Sequence, residues 1–155
     1  SGQIQMIYNH KPSQYFHKYI DGPSTPLYPF GFGLSYTRFA YSSLKLSHTR
    51  ISDKDSFTAS IELTNVGDRE GTEVVQLYIR DIYSSATRPV KELKDFARVT
   101  LKPGEKKTVT FTVTPDKLAY WNRNMQYGVE KGEFEIMIGS SSQDKDLKKV
   151  KMEVL

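Results

Sequence analysis

TVTFTVT, residues 108–114, has the most regular alternation of apolar and polar residues in this 155-residue chain. Successive side chains of a β-strand point to opposite faces, so Val109, Phe111 and Val113 share one face while the threonines share the other. β-branched threonines suit a pleated surface that faces water, and the large apolar side chains need cover. The stretch therefore predicts a half-buried strand of a sheet with one wet face.

The same alternation recurs on both sides of this stretch, with turn residues between the segments. The apolar positions that repeat at every second residue, less regularly between 93 and 101, are Leu44 and Leu46; Phe57, Ala59, Ile61 and Leu63; Val75, Leu77 and Ile79; Leu93, Phe96, Val99 and Leu101; Phe134, Ile136 and Ile138; and Val150, Met152 and Val154. About seven strands without a convincing amphipathic helix predict an all-β fold, an antiparallel β-sandwich of the immunoglobulin type, because two sheets packed face to face bury every apolar side.

The first 38 residues differ in kind, since rings, prolines and glycines crowd between residues 15 and 41. A flexible tether would be rich in Gly and Ser and poor in rings. Proline fixes φ and keeps the chain extended, and rings supply area for burial. We therefore expect an extended N-terminal strap over residues 1–38 that is pressed onto a surface, and a sandwich over residues 39–155.

Composition and spacing argue against several classes of function. The net charge of +4 comes from lysines interleaved with acids, which indicates a solvated face and no nucleic-acid surface. No run approaches the roughly 18 apolar residues of a membrane span. Cysteine is absent, and His10, His17 and His48 lack the spacing of a zinc site. Gly31 and Gly33 lack the third glycine and the helix of a dinucleotide loop, so no metal or cofactor is predicted.

Carboxylates are abundant, yet they lie at positions where contact with solvent keeps their pKa values ordinary. Asp53, Asp55, Glu62, Glu133 and Glu135 lie in predicted turns or at outward strand positions. A general acid with a raised pKa needs burial. We therefore predict no catalytic residue in this chain.

Several longer motifs carry a resemblance to a known family. They are YIDGP (19–23), PLYPFGFGLSYT (26–37), VQLYIRD (75–81), RPVKELKDF (88–96), LKPGE (101–105) and GEFEIMIGSSS (132–142). The early motifs, with the run from Gln3 to Pro12, resemble glycoside hydrolase family 3 at the end of its second catalytic domain and the linker after it. The later ones resemble the fibronectin type III-like domain that closes many family members.

The resemblance implies a role for the chain within a larger enzyme. The parent would be a retaining β-glucosidase or β-xylosidase, periplasmic or extracellular, whose nucleophile and acid/base groups lie in domains upstream. Residues 1–38 would then be the end of the preceding catalytic domain and its linker. The expected function is a non-catalytic C-terminal module that packs on the catalytic domains of its own chain and stabilises them.

This role predicts a set of interdomain contacts. The side chains expected to make them are Tyr19, Asp21, Tyr28, Phe30, Phe32, Tyr36 and Arg88. The loop from Asp81 to Val90 is expected to approach the sugar-binding cleft or a second subunit, which makes that subunit a further candidate partner.

Two alternatives stay open. Tyr120, Trp121 and Tyr127 could stack on sugar rings and make the chain a carbohydrate-binding module, although large rings more often cap the end of a sandwich. Tyr78, at an outward strand position, and Tyr83, in a loop, are weaker candidates. An adhesion or assembly module would instead use an open sheet edge.

Overall fold

The computed structural model describes residues 8, 10–11 and 25–155, and its strands lie between residues 39 and 154. The first sheet consists of β1 (Phe39–Tyr41), β2 (Lys45–Leu46), β4 (Phe57–Asn65) and β7 (Lys106–Val113). The second consists of β3 (Arg50–Ile51), β5 (Gly71–Asp81), β6 (Glu92–Leu101), β10 (Gly132–Gly139) and β11 (Leu147–Val154). A short hairpin is formed by β8 (Tyr120–Trp121) and β9 (Tyr127–Gly128).

The two sheets form the predicted antiparallel sandwich. In the first sheet β4 is central, with β7 along one side and β1 and β2 along the other. The second sheet has the order β3-β11-β10-β5-β6, and in it β3 runs parallel to β11. The other pairs in both sheets are antiparallel, as predicted. The described residues form eleven strands where about seven were predicted, and the four additional strands, β1, β3, β8 and β9, are only two or three residues long.

The core lies between the sheets and consists mainly of side chains that the alternation assigned to it, although Leu93 and Phe96 lie outside it. Val109, Phe111 and Val113 are buried, and their strand neighbours are exposed. They meet buried side chains of the second sheet such as Leu77 and Ile136. Burial of one such side chain contributes about 1.5–3 kcal/mol. The strand prediction is thereby confirmed, while the proposed boundary between residues 38 and 39 stays a prediction, although β1 begins at Phe39.

The irregular pattern in β6 comes from a β-bulge. Leu77 is opposite Asp95, but its neighbour Tyr78 is opposite Leu93, which leaves Lys94 as an extra residue. A bulge shifts the alternation by one position. The bulge therefore places Leu93 on the outer face, the same face as the exposed Phe96, while Val99 and Leu101 point to the core.

Helical structure in the described residues is short. The helix α1 (Pro115–Leu118) begins with proline, whose missing N–H costs nothing at a helix start, and it buries Leu118 under the sandwich. A 3₁₀ turn spans Asp144–Asp146. Within the described residues, neither helix has the length or apolar character to cross a membrane.

A buried asparagine ties the end of the sandwich to the chain that enters β1. The Asn65 side chain donates to the carbonyls of Arg69 and Leu101 at 2.7 and 2.9 Å. Its carbonyl oxygen accepts from the Thr37 hydroxyl at 2.8 Å and from the Gly67 amide at 3.0 Å. All hydrogen-bonding positions of this buried amide are thus occupied.

Candidate functional site

The outer face of the second sheet carries a second apolar cluster, away from the main core. Tyr78, Met137 and Leu147 are buried there, and Tyr8 and Leu93 pack against them. The Leu93 amide also donates to the Tyr8 hydroxyl. A face that the alternation alone would leave to solvent is therefore covered, because the chain before β1 lies across it.

Residues 25–37, called the strap below, are clamped to this face by Gln76. The Gln76 amide nitrogen donates to the carbonyls of Gly31 and Ser140 at 3.0 and 2.7 Å. Burial raises the pKa of Tyr78, so its hydroxyl keeps its proton and donates to the Gln76 carbonyl oxygen. Gly31 has φ +77°, and a Cβ at this position would lie 2.0 Å from the Gln76 carbonyl oxygen. The clamp therefore requires glycine.

Further contacts hold the chain on both sides of the clamp. The Ser142 amide donates to the Phe30 carbonyl at 2.9 Å, and the Val90 amide donates to the His10 carbonyl at 3.0 Å. The ring of Phe30 stacks on that of Tyr8, with centroids 3.9 Å apart. The strap is thus fixed by backbone bonds and by ring packing together.

The other side of the strap presents apolar side chains to solvent. Leu27, Leu34 and Tyr36 are 85, 91 and 95% exposed. Tyr28 and Phe32 are partly exposed as well, with ring centroids 5.3 Å apart. We call these five side chains the strap surface.

Two open hollows adjoin the strap surface. One, of about 460 Å³, lies beside Tyr28 and Phe30 and reaches Lys91. The other, of about 550 Å³, lies between Phe32 and Phe96. Each is large enough to receive side chains of a neighbouring domain.

The predicted contact residues separate into three groups. Tyr28, Phe30, Phe32 and Tyr36 all lie on the strap with their rings at least partly exposed. Tyr19 and Asp21 lie outside the described residues. Arg88 lies within the module, and its role between domains stays a prediction.

The guanidinium of Arg88 has its partners inside the chain. It binds Asp81 at 3.2 Å and Glu92 at 2.7 Å, and it donates to the Leu118 carbonyl. It also lies over the ring of Tyr120, 4.6 Å from the centroid. Burial raises the pKa of Asp81, and Arg88 opposes that rise. Arg88 thus joins the ends of β5 and β6 to α1.

The three rings proposed for sugar stacking differ in their exposure to solvent. Tyr120 is half-buried, and its hydroxyl donates to Glu130. The Ser85 hydroxyl donates to the same carboxylate at 2.5 Å, and these bonds lower the pKa of Glu130. Trp121 and Tyr127 instead stay exposed on the hairpin. The weaker candidate Tyr78 is wrong, because it is fully buried beneath the strap.

Sequence reasoning missed Gln76 as a functional residue. The sequence pattern that could have indicated it lies in residues 74–79, VVQLYI, where apolar side chains occupy both faces of the strand. Such a near-continuous apolar run is typical of a strand covered on both sides. The position of the glutamine within it indicates a buried amide that needs partners.

Outside these clusters, Glu73 is partly buried and accepts a hydrogen bond from the Tyr41 hydroxyl at 2.8 Å, whereas most acidic side chains placed in turns or at outward strand positions lie at the surface. Asp53 and Asp55 are exposed between β3 and β4, Glu62 pairs with Lys106 at 3.5 Å, and Glu133 is exposed. Among the described residues, no group of three or more His, Asp or Glu side chains is placed to hold a metal ion.

Comparison with known proteins supports the resemblance. The model of the fibronectin type III-like domain matches residues 73–142. The chain is 45% identical over 151 residues to a periplasmic β-glucosidase of Salmonella typhimurium. This alignment covers 91% of this chain and 20% of that protein. The chain is also 46% identical to a β-xylosidase of Formosa agariphila, over 99% of this chain and 22% of that protein. The chain thus spans about a fifth of the length of these relatives.

Solved structures give the same picture. A β-glucosidase from Erythrobacter marinus superposes with a TM-score of 0.92 at 41% identity, over 99% of this chain and 20% of that one. A Listeria innocua β-glucosidase in complex with glucose superposes with a TM-score of 0.89 at 35% identity, over 99% of this chain and 22% of that one. The chain therefore contains a fibronectin type III-like domain at residues 73–142 and matches the C-terminal module of glycoside hydrolase family 3 β-glucosidases and β-xylosidases.

Proposed function

We propose that this chain is a non-catalytic module of a β-glucosidase-like enzyme and that its strap surface packs on the catalytic domains of the same parent chain. The observation that carries the proposal is an apolar surface held on a rigid support. Leu34 and Tyr36 are almost fully exposed, yet the clamp at Gly31 and the Asn65 bond to Thr37 fix the chain on either side of them. Contiguous apolar groups of this kind mark an interaction site.

The rigidity explains how such a module would stabilise its partner. A surface that is already ordered loses little conformational entropy when it is covered, so more of the burial energy remains as stability. The parent would act in the periplasm or outside the cell, and the name of the Salmonella relative, a periplasmic β-glucosidase, supports the first of these locations.

A double substitution in the longer glycosidase chain tests this proposal. Leu34→Ser with Tyr36→Ser should lower the melting temperature of the full-length enzyme and speed proteolytic cleavage in the strap. The same pair should leave the melting temperature of the 155-residue chain unchanged, because both side chains are exposed there. Met125→Ser, which changes an exposed apolar side chain outside the strap, serves as the matched control in both contexts. Equal effects with and without the rest of the enzyme would contradict the proposal.

The non-catalytic part of the proposal has a separate test. The 155-residue chain should release no nitrophenol from an aryl β-glucoside above background. Turnover that persists after purification and disappears on unfolding would show that the chain holds its own catalytic carboxylates.

A further inference from the structure

The hairpin of β8 and β9 presents two rings side by side. Trp121 and Tyr127 are directly opposite each other, with centroids 5.4 Å apart and planes inclined by 52°. They are 60 and 55% exposed. Large rings usually supply core area, so an exposed pair on an ordered hairpin marks a contact site.

The hairpin is held in shape by its own side chains. The side-chain carbonyl oxygen of Asn122 accepts from the backbone amides of Asn124 and Gln126 at 2.9 and 3.0 Å. The Arg123 guanidinium donates to the Ser85 carbonyl at 2.8 Å and so ties the hairpin to the loop after β5. The rings therefore rest on a support that needs no further ordering when a ligand binds.

The chemistry around the rings favours one class of ligand. Between residues 120 and 128, a stretch that the structure describes in full, Arg123 is the only charged residue, and its guanidinium is already bonded. Asn124 and Gln126 add exposed amides beside the rings. Phosphate backbones and acidic peptides would need a free positive charge. Rings with neutral amides instead match a pyranose, which has apolar C–H faces and a rim of hydroxyls.

We propose that Trp121 and Tyr127 form a contact site for neutral oligosaccharides of glucose or xylose, whose equatorial hydroxyls leave both ring faces apolar. The site is separate from the strap surface, and Tyr120 is not part of it, because its hydroxyl is bonded to Glu130 and its ring lies under Arg88. The names of the β-glucosidase and β-xylosidase relatives agree with this ligand class.

The chain contains one tryptophan, so its tryptophan fluorescence reports this site alone. Cellotetraose and xylotetraose should each be titrated into the 155-residue chain at millimolar concentration. A saturable change in Trp121 emission is expected with at least one of them. Tyr127→Ala should weaken the affinity about tenfold, or about 1.4 kcal/mol. Phe96→Ala, which removes an exposed ring from β6, should leave it unchanged.

Three results would overturn the proposal. They are an emission that neither sugar changes in a saturable way, a Tyr127→Ala variant that binds as the unaltered chain does, and a change in emission that follows protein concentration without sugar. The last would show that a second copy of the chain occupies the hairpin. A circular dichroism melt of Tyr127→Ala that matches the unaltered chain shows that the variant is folded.

Discussion

Gly31→Ala should release the strap while the sandwich stays folded. The left-handed conformation costs a residue with a side chain about 1–2 kcal/mol. The new Cβ would lie 2.0 Å from the carbonyl oxygen of Gln76, whose amide is held at both ends, so the bond from Gln76 to the strap would be lost as well. That bond contributes about 1 kcal/mol. The total of about 2–3 kcal/mol corresponds to a 30- to 150-fold larger open population, at about 1.4 kcal/mol per tenfold.

Amide hydrogen exchange measures this opening directly. The Ser142 amide, which donates to the Phe30 carbonyl, should exchange faster by that factor. Amides in the centre of β10 should keep their protection. Gly33→Ala is the matched control, since no heavy atom lies within 4 Å of its Cβ. Equal exchange at Ser142 in the two variants would refute the reasoning that close approach at Gly31 holds the strap.

Three further predictions concern the sandwich. Asn65→Ala should destabilise the chain by about 2–4 kcal/mol in a urea titration, because it leaves buried carbonyls without donors, and a cost below 1 kcal/mol would argue against the network. Phe134→Ala should cost about 3–5 kcal/mol, and Phe96→Ala, whose ring is exposed, no more than about 0.5 kcal/mol. Burial raises the pKa of the Glu73 carboxyl above its ordinary value of 4.5, so the folded chain binds the carboxyl proton more tightly than the unfolded chain does. The folded chain therefore loses stability as the pH rises from 4.5 through the raised pKa. Glu73→Gln should therefore be more stable than the unaltered chain at pH 7, with the difference vanishing below pH 4.5; a variant that is less stable at pH 7 would contradict the sign.

The two sheets were predictable because their signal is local. Val109, Phe111 and Val113 alternate with threonines, and a period of two determines which side faces the core. Even the irregular β6 follows this rule once Lys94 is counted as the bulge residue. The resemblance to the fibronectin type III-like domain was confirmed for the same reason, since its motifs lie mainly on these strands.

The covering of the outer face was not predictable in the same way. Alternation places Tyr78 on the face opposite the core, but it cannot say whether that face meets water or another layer. The clamp joins Gln76 to Gly31 across 45 residues of sequence, so neither residue shows its partner locally. The ion pairs of Arg88 with Asp81 and Glu92 were likewise not predictable, since a lone arginine after a loop does not reveal the carboxylates that surround it.

The parallel pair of β3 and β11 has a consequence for synthesis of the chain. Ile51 is opposite Val154, so the second sheet acquires its outermost strand only when residues 147–154 have left the ribosome. At ordinary rates of translation the intervening hundred residues take on the order of 5–20 s. The sheet of β1, β2, β4 and β7 is complete at residue 113, and its strands can pair with one another during that interval. Its apolar face is then not yet covered by a complete second sheet. Nascent chains at this stage are expected to be the form of the module that depends most on chaperones.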